Sequence, residues 1–222
     1  DRIDLILVPQ VNPDGSEKNE RRNSNGADLN RNHLIMTEPE VMAVHRLFDK
    51  YLFEVTMDVH EYYPYSEEWI SKGYSKNTDV LIGLNTNPQI PSIIRDFQKR
   101  EYMPFWTEYL KRCGISNGTY SPGGPGEDNY IRHSTFDIND GRQSYGIQNT
   151  FSFIQEGLNG KDSFVENLSH RAYSQSRGML ALLEFVYKNG KEMKRIVLEE
   201  RKNLLSPPEN EDVALQMEHV AD

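Results

Sequence analysis

Residues 53–60 read Phe-Glu-Val-Thr-Met-Asp-Val-His, and their apolar and polar side chains alternate without a break. This period of two is typical of a β-strand with one buried face, and it places Asp58 and His60 on the polar face near the end of the strand. Downstream, residues 149–155 predict a second strand that runs directly into Glu156. Two candidate functional side chains therefore follow predicted strands.

Other segments around these strands carry strand or helix patterns. Strands are expected at residues 4–9 and 78–84, and a long irregular loop at 118–146. Helical spacing or capping signals predict helices at 37–50 with Thr37 as the cap, at 91–113, at 163–190 with Asn189-Gly190 at its end, and then to about residue 205. This alternation indicates an α/β domain, and the pattern leaves open whether its sheet is parallel or mixed.

Composition limits the classes of function. The 222 residues include 34 Asp plus Glu and 25 Lys plus Arg, a formal net charge of −9. The basic residues are scattered among acids, which argues against a nucleic-acid partner. No stretch approaches the roughly 20 apolar residues of a membrane span, so we expect none in this chain. Residues 1–205 are expected to form one domain, followed by an acidic, Pro-rich and mobile tail at 206–222.

A polar segment at residues 21–32 contains three arginines and four asparagines. Planar guanidinium groups with nearby amides can hold a carboxylate through paired N–H bonds. Taken alone, such a segment is more often a solvated loop. By the same reasoning His60 is more often an ordinary hydrogen-bonded histidine than a metal ligand, and Glu156 is more often a surface acid than a general base. Residues 140–142, Asp-Gly-Arg, either form a wall of a substrate site or decorate the surface.

In combination these segments resemble the zinc carboxypeptidases of the carboxypeptidase A type. The resemblance lies in Val11-Asn12-Pro13-Asp14-Gly15, in the block from Arg21 to Asn32 with its Asp-Leu-Asn-Arg-Asn core, and in the strands ending at His60 and Glu156. It extends from Asp4 to about Val197. It implies a mixed, twisted sheet with helices on both faces, and it implies a secreted or periplasmic location.

The resemblance also implies roles for individual residues. His60 matches a zinc ligand, and Glu156 matches the catalytic base. Arg21 matches the arginine that stabilises the oxyanion, although a shift of one residue would exchange it with Arg22. Asn30 and Arg31 match the pair that grips the terminal carboxylate of the substrate. Tyr130 is a candidate for the tyrosine that covers the bound end.

One feature of the resembled family is absent. Its first two zinc ligands come from an H-x-x-E motif that precedes the Asn-Pro-Asp-Gly turn, and no histidine of this chain has a glutamate three positions on. We expect that motif to lie upstream of Asp1, so that the fold lacks its N-terminal part here and the chain alone binds zinc poorly. The other reading is a relative that has lost its metal.

The resemblance therefore implies zinc-dependent removal of the C-terminal residue from a peptide or peptide-like substrate with a free carboxylate. Two alternatives remain open. A related zinc amidase or deacylase would act on cell-wall peptides or acylated amino acids. A metal-free module would bind carboxylates without hydrolysis.

Overall fold

The computed structural model describes residues 3–122, 134–160 and 166–206. Its strands are β1 (Val55–Tyr62), β2 (Val80–Gly83), β3 (Asn117–Thr119) and β4 (Phe151–Leu158). They form a sheet in the order β1-β4-β2-β3. β1 and β4 are parallel, β4 and β2 are antiparallel, and β2 and β3 are parallel. The sheet is mixed, as the sequence resemblance implied.

Helices surround this sheet in the described part of the chain. They are α1 (Pro13–Lys18), α2 (Pro39–Tyr51), α3 (Glu67–Ile70), α4 (Ser92–Phe97), α5 (Met103–Arg112), α6 (Gly141–Gly146) and α7 (Leu168–Leu205). A π-helical turn over Gln98–Tyr102 joins α4 to α5, so that the helix predicted at 91–113 is nearly continuous. It ends at Gly114, whose φ of 72° favours glycine.

The central strand β4 is buried on both faces, and its alternating side chains meet different helices. Phe151 and Phe153 pack with Tyr102 and Phe185, in the aromatic core formed with α5 and α7. The opposite face, which carries Ser152 and Glu156, is covered by α6. Burial of this strand on both sides places Glu156 below the surface, together with the polar side chains of Ser152 and Gln155.

Helix α7 approaches β4 closely because of a glycine. A Cβ atom added at Gly178 would lie 2.0 Å from Oε1 of Gln155, so any larger residue would push the helix away from the strand. Gln155 in turn donates through Nε2 to the backbone oxygen of Gln175, at 2.9 Å. The α7 face of the sheet is therefore held by polar as well as apolar contacts.

The strand predicted at residues 4–9 is absent from the structure. This segment pairs with no described strand, and Leu5 and Leu7 are 53% and 71% exposed. A single extended segment has no partner for its backbone N–H and C=O groups, so an apolar β pattern alone does not make a strand.

The helix end predicted at Asn189-Gly190 is also wrong, because α7 runs without a break over 38 residues. The amide of Asn189 donates to the Phe185 carbonyl within the helix. Beyond that point Met193, Ile196 and Val197 are buried in the core. Packing of these residues holds the helix through two poor helix formers. Ser163–Val165 of the predicted capping box lie outside the described residues, as do residues 207–222.

No helix in the described ranges is both long and apolar enough to cross a bilayer.

The continuity of α7 predicts the effect of an alanine at Gly190. An added Cβ would make only an ordinary contact with Val186, at 3.9 Å. We therefore expect Gly190→Ala to raise the free energy of unfolding by about 0.5–1 kcal/mol, measured by urea titration with circular dichroism. The matched control is Gly114→Ala. An added Cβ has open space there, but the positive φ of Gly114 disfavours alanine, so this change should lower the free energy of unfolding. Destabilisation by Gly190→Ala would contradict the continuous helix.

Candidate active site

The ends of β1 and β4 bring His60 and Glu156 together. The two strands are parallel, and their register places His60 directly opposite Glu156. Residues paired in this way point to the same face of a sheet, as do Asp58 and Ile154 two positions earlier. The side chains that the sequence placed separately at two strand ends therefore share one site on the α6 face.

His60 is held by a carboxylate on its own strand. Its Nε2 atom lies 2.7 Å from Oδ2 of Asp58. Burial disfavours the charged imidazole, but the negative charges of Asp58 and, less strongly, Glu156 outweigh this and raise the pKa of His60 to about 9. In the absence of a metal, the imidazole is thus expected to carry a proton at neutral pH.

Glu156 is 7% exposed and responds to opposing influences. Burial raises the pKa of its carboxyl above the usual range, and the charge of Asp58 adds to this. The positive charges of His60, Arg21 and Arg142 act in the opposite direction. A buried carboxyl with a raised pKa at the end of an apolar strand is suited to exchanging a proton.

The arginine- and asparagine-rich segment is an ordered loop. The side chain of Asn23 is buried, and its Oδ1 accepts hydrogen bonds from the backbone N–H groups of Asn25 and Ala27. Its amide donates to Glu38 at 2.7 Å. Asn32 is also buried and bonds to the hydroxyl of Thr37 and the backbone N–H of Glu38. The solvated-loop reading therefore does not describe these two asparagines.

The hydroxyl of Thr37 is bonded to Asn32 and does not cap α2 in the way predicted. The helix begins at Pro39, with Glu38 in the cap position.

Asn30 connects this loop to both the sheet and α6. Its Oδ1 accepts a hydrogen bond from the backbone N–H of Gly141 at 2.9 Å, and its Nδ2 lies 3.4 Å from Nε2 of His60. Its own backbone N–H is bonded to Asp28, which caps the 3₁₀ turn Leu29–Arg31. The neighbouring Arg31 is exposed, and its Nη1 donates to the Asn30 carbonyl.

The two adjacent arginines differ in their surroundings. Arg21 donates through Nε to Oδ2 of Asp28 at 2.7 Å, and its charge lowers the pKa of both His60 and Glu156. Arg22 donates instead to the backbone oxygen of Gly26. Arg21 is therefore the one that acts on the buried pair.

The segment at 140–142 is internal and is not a surface decoration. Asp140 caps α6 by accepting the backbone N–H of Gln143 at 2.8 Å. Arg142 is 1% exposed and lies 5.5 Å from the ring of Tyr120. Sequence reasoning missed Tyr120, which carries no motif. Tyr130 lies outside the described residues.

A pair of histidines near Gly141 was also missed by sequence reasoning. Nδ1 of His33 is 2.9 Å from Nε2 of His45, and both rings contact Tyr145. Burial, followed by the neighbouring His45, lowers the pKa of His33 to about 4. The available signal was the position of His33, directly after Asn-Arg-Asn.

Glu61, which directly follows His60 in the sequence, does not face this site. It pairs with Arg171 of α7, which donates from both Nε and Nη2. Adjacent residues of a strand point to opposite faces, so Glu61 belongs to the α7 side of the sheet.

Comparison with known proteins identifies relatives of this arrangement. No protein-family model matches the chain. Carboxypeptidase 2 of Trichophyton rubrum is 22% identical over 158 residues, which cover 70% of this chain and 29% of that protein. Carboxypeptidase D of Mus musculus is 30% identical over 169 residues, covering 60% of this chain and 12% of that protein.

A solved structure has the same fold. It is the metallo-carboxypeptidase of Pseudomonas aeruginosa in complex with (2-guanidinoethylmercapto)succinic acid, which is 21% identical and superposes with a TM-score of 0.56. The match covers 84% of this chain and 46% of that one. This chain has a carboxypeptidase-like fold.

The chain spans less than a third of the length of the curated relatives named above. The similarity therefore describes its fold, and the residues near the ends of β1 and β4 form its candidate site.

The contact between Asp58 and His60 predicts a pKa change. In the metal-free protein, Asp58→Asn should lower the pKa of His60 from about 9 towards its ordinary value of about 6.5, because burial is then opposed mainly by the weaker effect of Glu156. An NMR titration of the His60 ring protons measures it. Asp79→Asn removes a carboxylate that pairs with His170 and should leave the titration of His60 unchanged. An unaltered pKa in Asp58→Asn would show that the contact does not control His60.

Proposed function

We propose that this protein takes part in zinc-dependent hydrolysis of the C-terminal peptide bond of peptides. The observation that carries the proposal is the meeting of His60 and Glu156 across the parallel pair β1–β4, with Asn30 between His60 and α6. An imidazole, a buried carboxyl and an arginine-asparagine loop at one site are the groups that such a reaction requires. The names of the relatives add support.

The donor chemistry fits a metal at His60, although it does not complete a ligand set. Asp58 holds Nε2 of the imidazole, as an outer carboxylate does when the other ring nitrogen binds a metal. A catalytic zinc usually has three protein ligands. No group of three metal-binding side chains occurs within the described ranges, so further ligands would have to lie outside them. Zinc, when bound, supplies Lewis acidity and a lowered pKa of water.

Glu156 is the proposed general base. Its burial and raised pKa keep its affinity for a proton higher than that of a surface carboxylate. In the reaction it would take a proton from the attacking water and later give that proton to the departing amine. The positive charges around it, from His60, Arg21 and Arg142, favour its ionised form.

The loop would bind and orient the substrate. Arg21 has its Nε held by Asp28 and a side chain that is 59% exposed, so its remaining N–H groups would be available to stabilise negative charge developing on the scissile carbonyl. Asn30 and the exposed Arg31 would grip the terminal carboxylate. The bond from Arg31 to the Asn30 carbonyl fixes the two residues relative to each other. This grip would limit cleavage to the chain end.

The direct test uses the full-length gene product. A peptide is incubated with the protein and zinc, with and without a chelator, and the products are identified by mass spectrometry. Stepwise loss of C-terminal residues that stops with chelator is the expected result. Intact peptides under both conditions would contradict the proposal, and assays with cell-wall peptides, acylated amino acids and binding measurements would then separate an amidase or deacylase from a metal-free module.

The role of Glu156 predicts a loss of turnover. In the zinc-loaded full-length protein, Glu156→Gln should lower kcat by about 10²–10⁴-fold, because the amide cannot accept the proton of water. The measurement is kcat and KM on one peptide, together with the zinc content of each variant. Glu54→Gln, at an exposed ion pair with Lys194, should leave both constants unchanged. Normal turnover in Glu156→Gln would remove Glu156 from the mechanism.

A further inference from the structure

Arg142 is a buried cation whose hydrogen-bonding capacity is largely unused. Its side chain is 1% exposed, yet its Nε and Nη1 atoms find no acceptor among the described residues. Nη2 lies 3.4 Å from Oδ2 of Asp140, the one ion pair the structure gives it within those ranges. Guanidinium groups remain charged when buried, so unmatched donors of this kind are costly and require an explanation.

Asp140 does not supply the missing acceptors. One of its oxygens caps α6 through the backbone N–H of Gln143 at 2.8 Å, and the other lies 3.3 Å from the hydroxyl of Thr135. The contact with Arg142 is longer than either and is made by one nitrogen only. A well-formed arginine–carboxylate pair has two short parallel bonds. Arg142 thus retains donors at Nε and Nη1 that no described residue accepts.

Space for this guanidinium is created by a glycine on β2. A Cβ atom at Gly83 would lie 2.4 Å from Nη1 of Arg142 and 2.5 Å from a methyl carbon of Ile154. Arg142 therefore lies against the sheet on the face that carries Ile154 and Glu156. Its charge also acts on the carboxyl of Glu156, the proposed base.

The surroundings of Arg142 favour an anion. The ring of Tyr120 lies 5.5 Å from its guanidinium carbon, and Tyr120 is also within the electrostatic influence of Arg31. Lys76 is a further cation influenced by Glu156, and its Nζ donates to the backbone oxygen of Ser121 beside Tyr120. Arg142, Arg31 and Lys76 thus supply basic groups around Tyr120, alongside the carboxylates of Asp140 and Glu156.

We propose that Arg142 binds the acidic side chain of the last substrate residue, so that the protein prefers peptides ending in glutamate or aspartate. The inference rests on the proposed function, in which Asn30 and Arg31 bind the terminal carboxylate. That assignment leaves Arg142 for a second carboxylate. A carboxylate can accept hydrogen bonds from the unmatched donors of Arg142 and is opposite to it in charge, whereas a side-chain amide offers one acceptor and no charge.

The test compares two peptides of nearly identical shape, N-acetyl-Ala-Ala-Glu and N-acetyl-Ala-Ala-Gln. Binding to the metal-free full-length protein is measured by calorimetry, and kcat/KM is measured with the zinc-loaded protein. We expect the glutamate peptide to be favoured about tenfold or more in both measurements. This comparison needs no variant, and equal binding and equal kcat/KM for the two peptides would overturn the inference.

Variants separate recognition from structural support. Arg142→Gln should abolish the preference by weakening the glutamate peptide alone, and Arg142→Lys, which keeps the charge, should retain part of it. A merely structural role would weaken both peptides equally in the two variants, and that result would also overturn the inference. Arg100→Gln changes an exposed arginine and should leave both peptides unaffected.

The outcomes for this inference and for the proposed function are distinct. If the zinc-loaded protein cleaves neither peptide but the metal-free protein still binds the glutamate peptide preferentially, the assignment of Arg142 stands and the hydrolytic function fails. If both peptides are cleaved equally well, hydrolysis stands and the assignment fails.

Discussion

The parallel pairing of β1 with β4 is the interaction on which the rest of the site depends. Backbone hydrogen bonds between these strands fix Val55 opposite Phe151 and, five positions later, His60 opposite Glu156. No local contact along the chain could bring together two residues almost a hundred positions apart. The loop from Arg21 to Asn32 and helix α6 are connected to this pair through Asn30, whose side chain contacts both His60 and Gly141.

Opposite charges lie close together in this site. The cations His60, Arg21, Arg31, Arg142 and Lys76 are near the carboxylates of Asp28, Asp58, Asp140 and Glu156. The pKa of Glu156 therefore depends on the charges around it as well as on its burial.

Some of this was predictable from sequence. Alternation over residues 53–60 and the Phe- and Ile-containing segment before Glu156 identified two strands, although the burial of β1 does not alternate strictly, since Val59 is exposed. Pairing depends on partners that are distant in sequence, which is why the apolar pattern at residues 4–9 predicted a strand that the structure lacks. Helix α7 continues past Asn189-Gly190 because buried residues beyond that point outweigh local propensity.

The candidate site, like the fold, was only partly predictable from sequence. His60 and Glu156 could be nominated as strand-end residues, and the Asp-Leu-Asn-Arg-Asn block indicated the loop. The bridge made by Asn30 and the burial of Arg142 depend on how α6 packs, which no short-range pattern reports. Gly83 is an example of a residue whose role cannot be predicted locally, because that role depends on Arg142, which lies 59 positions away in the sequence.

Helix α7 has a consequence for the precision of the site. Near its start, Arg171 bonds Glu61 and Gln175 donates to the carbonyl of His60, and near its end Arg201 donates to the carbonyl of Phe53. One continuous helix thus makes hydrogen bonds near the C-terminal end of β1 and just before its N-terminal end. A shift of the strand by one residue would turn His60 to the wrong face, and it would have to break both sets of hydrogen bonds at once. These two contacts therefore keep the strand in register.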